Sequence, residues 1–176
     1  LDLIRNLPED RYEFTIVTTL LEENDWQYRF ADLTDDIFVL PHCADKRMWP
    51  AFCDYLVRTR SIDIIFNTNS YFSYYMLPWL HLRHPRIPVV DYIHMEEWYY
   101  RSGGYARPSG AVAPVLDATY VCNEGTRRVM IDFFGRSPDT VHTVYIGVDH
   151  NRYRPDASLS RTVLEQFPQI EGRCTV

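Results

Sequence analysis

The sequence predicts an α/β domain built on a doubly wound parallel sheet. Three features carry that expectation. Strand-like runs such as SIDIIFN (61–67) and IPVVDYIH (87–94) are apolar on both faces, amphipathic helical stretches separate them, and the runs end in polar tips. A strand apolar on both sides must be covered on both sides, which is the condition of a parallel sheet between helical layers.

The elements follow in order. Leu1, Leu3, Ile4 and Leu7 share a helical face that ends at Pro8. YEFTIVTT (12–19) and IFVLP (37–41) read as strands, rich in β-branched and aromatic residues. A helix is expected from about Asp45, with Trp49, Phe52, Cys53, Leu56 and Val57 on one stripe. Asp45 is its N-cap and Pro50 is tolerated in its first turn. After strand SIDIIFN, a helix opens near Ser70 and carries Phe72, Met76, Trp79 and Leu80, with a kink expected at Pro78. Strand IPVVDYIH follows, then a short helical segment around 109–116 and strand DATYVCN (117–123). Asn123 caps the next helix and Gly135 ends it. TVHTVYIGV (140–148) is the last strand. Beyond Pro155, DASLSRT reads as a polar linker, with a short helix near Val163 to Phe167.

At 176 residues the chain makes one ordinary domain with a real core. Its net charge of −6, with no cluster of Lys and Arg, argues against a nucleic-acid groove and a polybasic anchor. No apolar run approaches the roughly 20 residues of a membrane span, and the first residues do not read as a signal peptide. Cys43, Cys53, Cys122 and Cys174 form no C-x-x-C pair and read as reduced thiols, which places the protein in the cytoplasm. With 13 Tyr and 9 Phe, the chain is rich in rings that suit either a thick core or a ligand with apolar and hydroxyl faces.

Ligands of open parallel sheets bind at the carboxyl edge of the strands. That rule selects four tips: Asn67-Thr68-Asn69-Ser70, His94-Met95-Glu96-Glu97, Asn123-Glu124-Gly125-Thr126 and Ile146-Gly147-Val148-Asp149. Each alone also serves as a helix N-cap or turn. His94 is the sharpest candidate, because an imidazole just past a strand end can bond a ligand hydroxyl or move a proton. A locally satisfied edge histidine is the alternative. In an extended chain Glu96 and Glu97 point to opposite sides, so at most one faces a cleft. Trp98, Tyr99 and Tyr100 suit stacking on a sugar ring or a base, or a lid on the core. Arg101-Ser102-Gly103-Gly104 reads as a mobile loop. His81 and His84 sit at i, i+3 on a helix without an evident third metal ligand. Phosphate-loop, nucleophile-elbow and dinucleotide fingerprints are absent, as is any D-x-D pair for a metal-held donor.

One block carries a family resemblance. VYIGVDHNRYRP (144–155) resembles the N/I-G-V/I-D-x-x-x-F/Y-x-P segment of glycosyltransferase family four, the retaining group with the two-domain GT-B fold. SIDIIFNTN (61–69), PVVDYIH (88–94) and LDATYVCNEGTRRVM (116–130) resemble further blocks of that family in the same order. The likeness covers nearly the whole chain. It implies a Rossmann-like, three-layer domain forming one half of a GT-B fold, in an enzyme that moves a sugar from a nucleoside diphosphate to a hydroxyl acceptor without metal or cofactor. On this resemblance His94 faces the reacting sugar. Asn69, Glu97, Asn123, Glu124 and Gly147 are candidate substrate-binding residues on the same predicted edge. Gly147 would let the chain turn sharply and Asp149 would cap that turn.

The resemblance sets residues 1–156 as the N-terminal, acceptor-side domain lacking its first strand, and 157–176 as the linker and start of a C-terminal domain. That absent domain would clamp the donor diphosphate, so the chain alone is expected to be inactive, and another segment or chain is expected to fill the central strand position. Position 123 is Asn where the family usually has Ser. A sugar or glycan acceptor in polysaccharide biosynthesis is the expected partner, and peripheral membrane association of the parent enzyme stays open. Two rivals remain: a nucleotide-sugar epimerase of the same two-domain fold, and a binding module without chemistry.

Overall fold

The computed structural model describes residues 2–8, 10–20, 27–151, 153 and 157–170. These form two compact units, 1–145 and 146–176.

The first unit contains helix α1 (Asp2–Arg5), strand β1 (Ile16–Thr18), helix α2 (Gln27–Ala31), strand β2 (Ile37–Val39), and helices α3 (Leu40–Cys43) and α4 (Trp49–Thr59). Strand β3 (Ile65–Thr68), helix α5 (Tyr71–Arg83) and strand β4 (Val89–Ile93) come next. Helix α6 (Ala106–Ala111), strand β5 (Ala118–Val121), helix α7 (Glu124–Asp132) and strand β6 (Val141–Thr143) complete it. Four strands form a parallel sheet in the order β3-β4-β5-β6, and β1 and β2 form a separate parallel pair. Parallel sheets flanked by helices make this a Rossmann-like α/β domain, as the both-face apolar strands predict.

The core runs from the sheet into the helices that cover it. Tyr74 and Leu77 of α5, Ala106 of α6 and Met130 of α7 pack with Val89, Ile93, Val121 and Val141 of the strands, all buried. A second cluster joins Leu40 to Trp49 and Cys53 of α4, with Phe72 of α5 set edge-on to Trp49 at 4.9 Å. At the end of α5 remote from the candidate tips, Asp54 of α4 accepts hydrogen bonds from Arg83 (2.7 and 3.1 Å), Arg58 (3.2 Å) and His84 (2.8 Å). The Arg83 bonds, ahead of the others, hold its carboxyl well below the ordinary carboxylate range. His84 is thus spent on an ion-pair knot rather than on a metal with His81.

Several predicted boundaries shift for identifiable reasons. The strand expected over 12–19 pairs only at Ile16–Thr18, and the one over 37–41 stops at Val39. Pro41 then lies in the first turn of α3, where its fixed φ suits a helix start and its lost N–H is not needed. Asp45 caps as expected through Arg47 N (2.9 Å), but it caps a single 3-10 turn, Lys46–Met48, ahead of α4. The helical segment expected at 109–116 begins at Ala106 and closes with a 3-10 turn, Ala113–Val115. Strand β6 keeps only three of nine expected residues, because past Val144 N→Val121 O (2.8 Å) the chain has no ladder to follow. Asn123 caps α7 as predicted, and Ser70, near which a helix was expected to open, caps α5.

Between β1–β2 and the main sheet there is no ladder among the described residues; Thr19 Oγ1 and Ser70 Oγ touch at 2.9 Å. In the second unit, helix α8 (Ala157–Gln166) occupies the stretch expected to be linker, followed by a 3-10 turn, Pro168–Ile170. Arg173 and Cys174 lie outside the described residues.

Candidate functional site

Parallel pairing places every strand end of the main sheet on one side. Thr68 pairs with Tyr92, Ile93 with Val121, and Val121 with Thr143. Asn69 and His94, each just past its strand, and Asn123, two residues past β5, therefore share the carboxyl edge. Gly147 and Asp149 belong to the second unit. Asp149 does cap its turn, accepting from Asn151 N at 2.9 Å. Gly147, however, has no left-handed φ and nothing within 4 Å of a Cβ built on it, so its expected role in a sharp turn does not hold.

His94 is exposed at the end of β4. Its ring stands edge-on to Tyr92 at 4.9 Å, and the Tyr92 hydroxyl donates to Val144 O at 2.7 Å. The Cys122 thiol donates to the His94 carbonyl, tying this tip to the end of β5. Backbone and neighbour are thus held while the imidazole is left open to solvent, an arrangement that can bond or shuttle a proton to a hydroxyl.

The two glutamates meet different neighbours. Glu96 Oε2 accepts from Thr126 Oγ1 at 2.7 Å, at the amino end of α7. The Glu97 side chain lies so close to Gly104 that a Cβ there would meet Glu97 Oε2 at 2.9 Å. Trp98 settles as a lid, edge-on to Phe133 (4.8 Å) and stacked on Phe134 (5.9 Å), whereas Tyr99 is 87 % exposed.

Asn123 and Glu124 have a structural explanation. Asn123 Oδ1 accepts from Thr126 N at 2.8 Å, and the exposed Glu124 lies in the first turn of α7, where negative charge is favoured. Asn69 is exposed with φ of +52°, a conformation Asn tolerates better than most residues.

Below the edge lies a cluster the sequence reading passed over. Tyr74 donates to Asp91 Oδ2 at 2.9 Å inside the core, and burial pushes the Asp91 carboxyl above its usual range. Asp91 Oδ1, Ser109 Oγ, Thr119 Oγ1 and Asn67 Nδ2 lie buried around it without a partner within bonding geometry. The signal was a carboxylate in the middle of the apolar run PVVDYI.

A Rossmann-like parallel sheet with an exposed histidine at its carboxyl edge defines the class: a helix-flanked α/β domain with polar tips along one sheet edge. Residues 1–152 match Glycosyltransferase Family 4, and the chain belongs to that family as an N-terminal domain of the GT-B type. Among solved structures it is similar to Alr3699/HepE of Anabaena. With UDP bound, that protein superposes at a TM-score of 0.64 and 14 % identity over 86 % of this chain and 42 % of that one. With UDP-glucose bound, the TM-score is 0.58 at 12 % identity over the same shares. At such identity the likeness is one of fold, and this chain spans well under half the length of that structure. No curated protein matches the chain. No helix among the described residues is long and apolar enough to cross a membrane.

Proposed function

We propose that this chain is the acceptor-side half of a retaining glycosyltransferase that moves a sugar from a nucleoside diphosphate to a hydroxyl acceptor in the cytoplasm. Family membership supports the reaction class, and the Anabaena neighbour, solved with UDP and with UDP-glucose, supports a nucleotide-sugar donor. The observation that carries the reading is His94: exposed, at the carboxyl edge, and held in place through Cys122.

In this reading the His94 imidazole bonds a hydroxyl of the reacting sugar. Asn69 and Glu97 offer an amide and a carboxylate to acceptor hydroxyls on the β3 and β4 tips. Asn123, which caps α7, shapes the rim with its remaining amide, and the exposed Glu124 offers a further carboxylate on the β5 tip. A departing nucleoside diphosphate needs positive charge in a water-poor site. That clamp would come from a second, donor-binding domain, and beyond donor and acceptor the reaction needs no cofactor.

The test is release of nucleoside diphosphate by the full-length parent enzyme, offered UDP-sugars and hydroxyl acceptors beside residues 1–176 alone. Acceptor-dependent release by the parent and none by residues 1–176 is expected. Release from residues 1–176 alone, or a parent that epimerises the sugar without transferring it, would overturn the proposal.

A further inference from the structure

His94 owes its place at the carboxyl edge to the end of β4, but an exposed imidazole owes its orientation to what it touches. A histidine surrounded only by water samples several staggered side-chain positions. The His94 ring instead stands edge-on to the Tyr92 ring, with centroids 4.9 Å apart and planes at 63°. Two positions apart along an extended chain, the two side chains leave the same face of the sheet. An edge-on pair of rings favours its own geometry by about two- to tenfold over the unpaired arrangement.

The Tyr92 ring is itself fixed. Its hydroxyl reaches past β5 and donates to Val144 O at 2.7 Å, just beyond the end of β6. Val144 N donates to Val121 O at 2.8 Å, so both backbone groups of Val144 are tied. Burial pushes the Tyr92 phenol above its ordinary range, and the hydroxyl therefore keeps its proton for Val144 O at neutral pH. Core packing does not account for this tyrosine. Every other residue of β4 is buried, and Tyr92 alone is half-exposed. His94 is thus held twice by separate means: its carbonyl by the Cys122 thiol, its ring by Tyr92.

We infer that Tyr92 is a positioning residue for His94: its ring selects the orientation in which the imidazole meets the reacting sugar, and its hydroxyl holds that ring through Val144 O. Tyr92 acts through His94 and needs no contact with the substrate. The role in turnover rests on the transfer reading above; the hold on the imidazole does not.

The full-length parent enzyme tests this with two readouts. Tyr92→Leu should lower kcat by about five- to tenfold and leave KM near the parent's, with rates taken per folded molecule. Tyr92→Phe keeps the ring, loses the bond to Val144 O, and should fall between the two. In a His94→Ala background, Tyr92→Leu should lower kcat no further, because nothing is left to position. The second readout is the NMR spectrum of the enzyme labelled in its histidines, where the signal lost in His94→Ala marks His94. That signal should shift in Tyr92→Leu, since the ring current of the neighbouring tyrosine is gone. Where His94→Ala is impaired, an unimpaired Tyr92→Leu or an equal fall in both backgrounds would refute the inference, and so would an unmoved His94 signal. Full turnover in His94→Ala would remove the transfer reading instead, and the histidine signal would then decide the hold by itself.

Discussion

The tips after β4 and β5 look alike in sequence, each a polar cluster on an apolar strand, yet they are built for different purposes. At the β5 tip the chain enters α7 at once, and Asn123 and Thr126 meet needs of the helix and its neighbour. At the β4 tip the chain wanders for a dozen residues, leaves His94 and Tyr99 in solvent, and drives four consecutive residues, 101–104, to positive φ. Polar residues that satisfy a helix end explain themselves. Polar and aromatic residues held open on a backbone of positive φ answer no such local need, and the proposed function gives them one.

Substitutions can break or sharpen this contrast, and folding free energies order them. Gly103→Ala should cost the most, about 2–3 kcal/mol, because φ of +129° is nearly exclusive to glycine and the new Cβ would stand 2.8 Å from the Phe134 ring. Urea unfolding measures it; a loss below that of a surface mutant would mean the β4 loop is not under constraint. Asp54→Asn, remote from both tips, should cost about 1–2 kcal/mol at neutral pH, since its partners are partly exposed. The Asp54 carboxyl is depressed in the folded state, so its contribution is present above the ordinary carboxylate range and is lost as pH falls through the depressed value. Melting curves of the two proteins should therefore converge only in strong acid, and a gap that widens there would reverse the assigned sign.

Asn123→Ala removes a helix cap and should cost about 1 kcal/mol, with hydrogen exchange quickening in the first turn of α7. Thr126→Val cuts the bond to Glu96, one of the contacts between the two tips, and should cost roughly 0.5–1 kcal/mol. An Asn123→Ala protein as stable as the parent chain would free Asn123 from its structural duty and return it to the list of substrate ligands.

Much of this was legible beforehand. The both-face apolar runs specified the parallel sheet, and Ser70 and Asn123 announced their helices because a cap is a local signal. Strand length was less legible: β1, β2 and β6 are short because pairing depends on partners that a local window cannot see. Asp91 escaped notice because its neighbours Tyr74, Ser109 and Thr119 come from three separate elements. The hold of Tyr92 on Val144 escaped for the same reason, since the two residues meet only after folding. Nor do the positive φ values at Arg101 and Ser102 follow from their identities, since neither residue type favours that region.

The central claim is that the β4 tip faces the reacting sugar while the β5 tip supports the scaffold. Turnover of His94→Ala and Asn123→Ala in the full-length parent, each measured per folded molecule, tests it most directly. The account predicts a fall of about a hundredfold or more for His94→Ala and a rate near the parent's for Asn123→Ala. Full turnover in His94→Ala, or an equal loss in both, would contradict it.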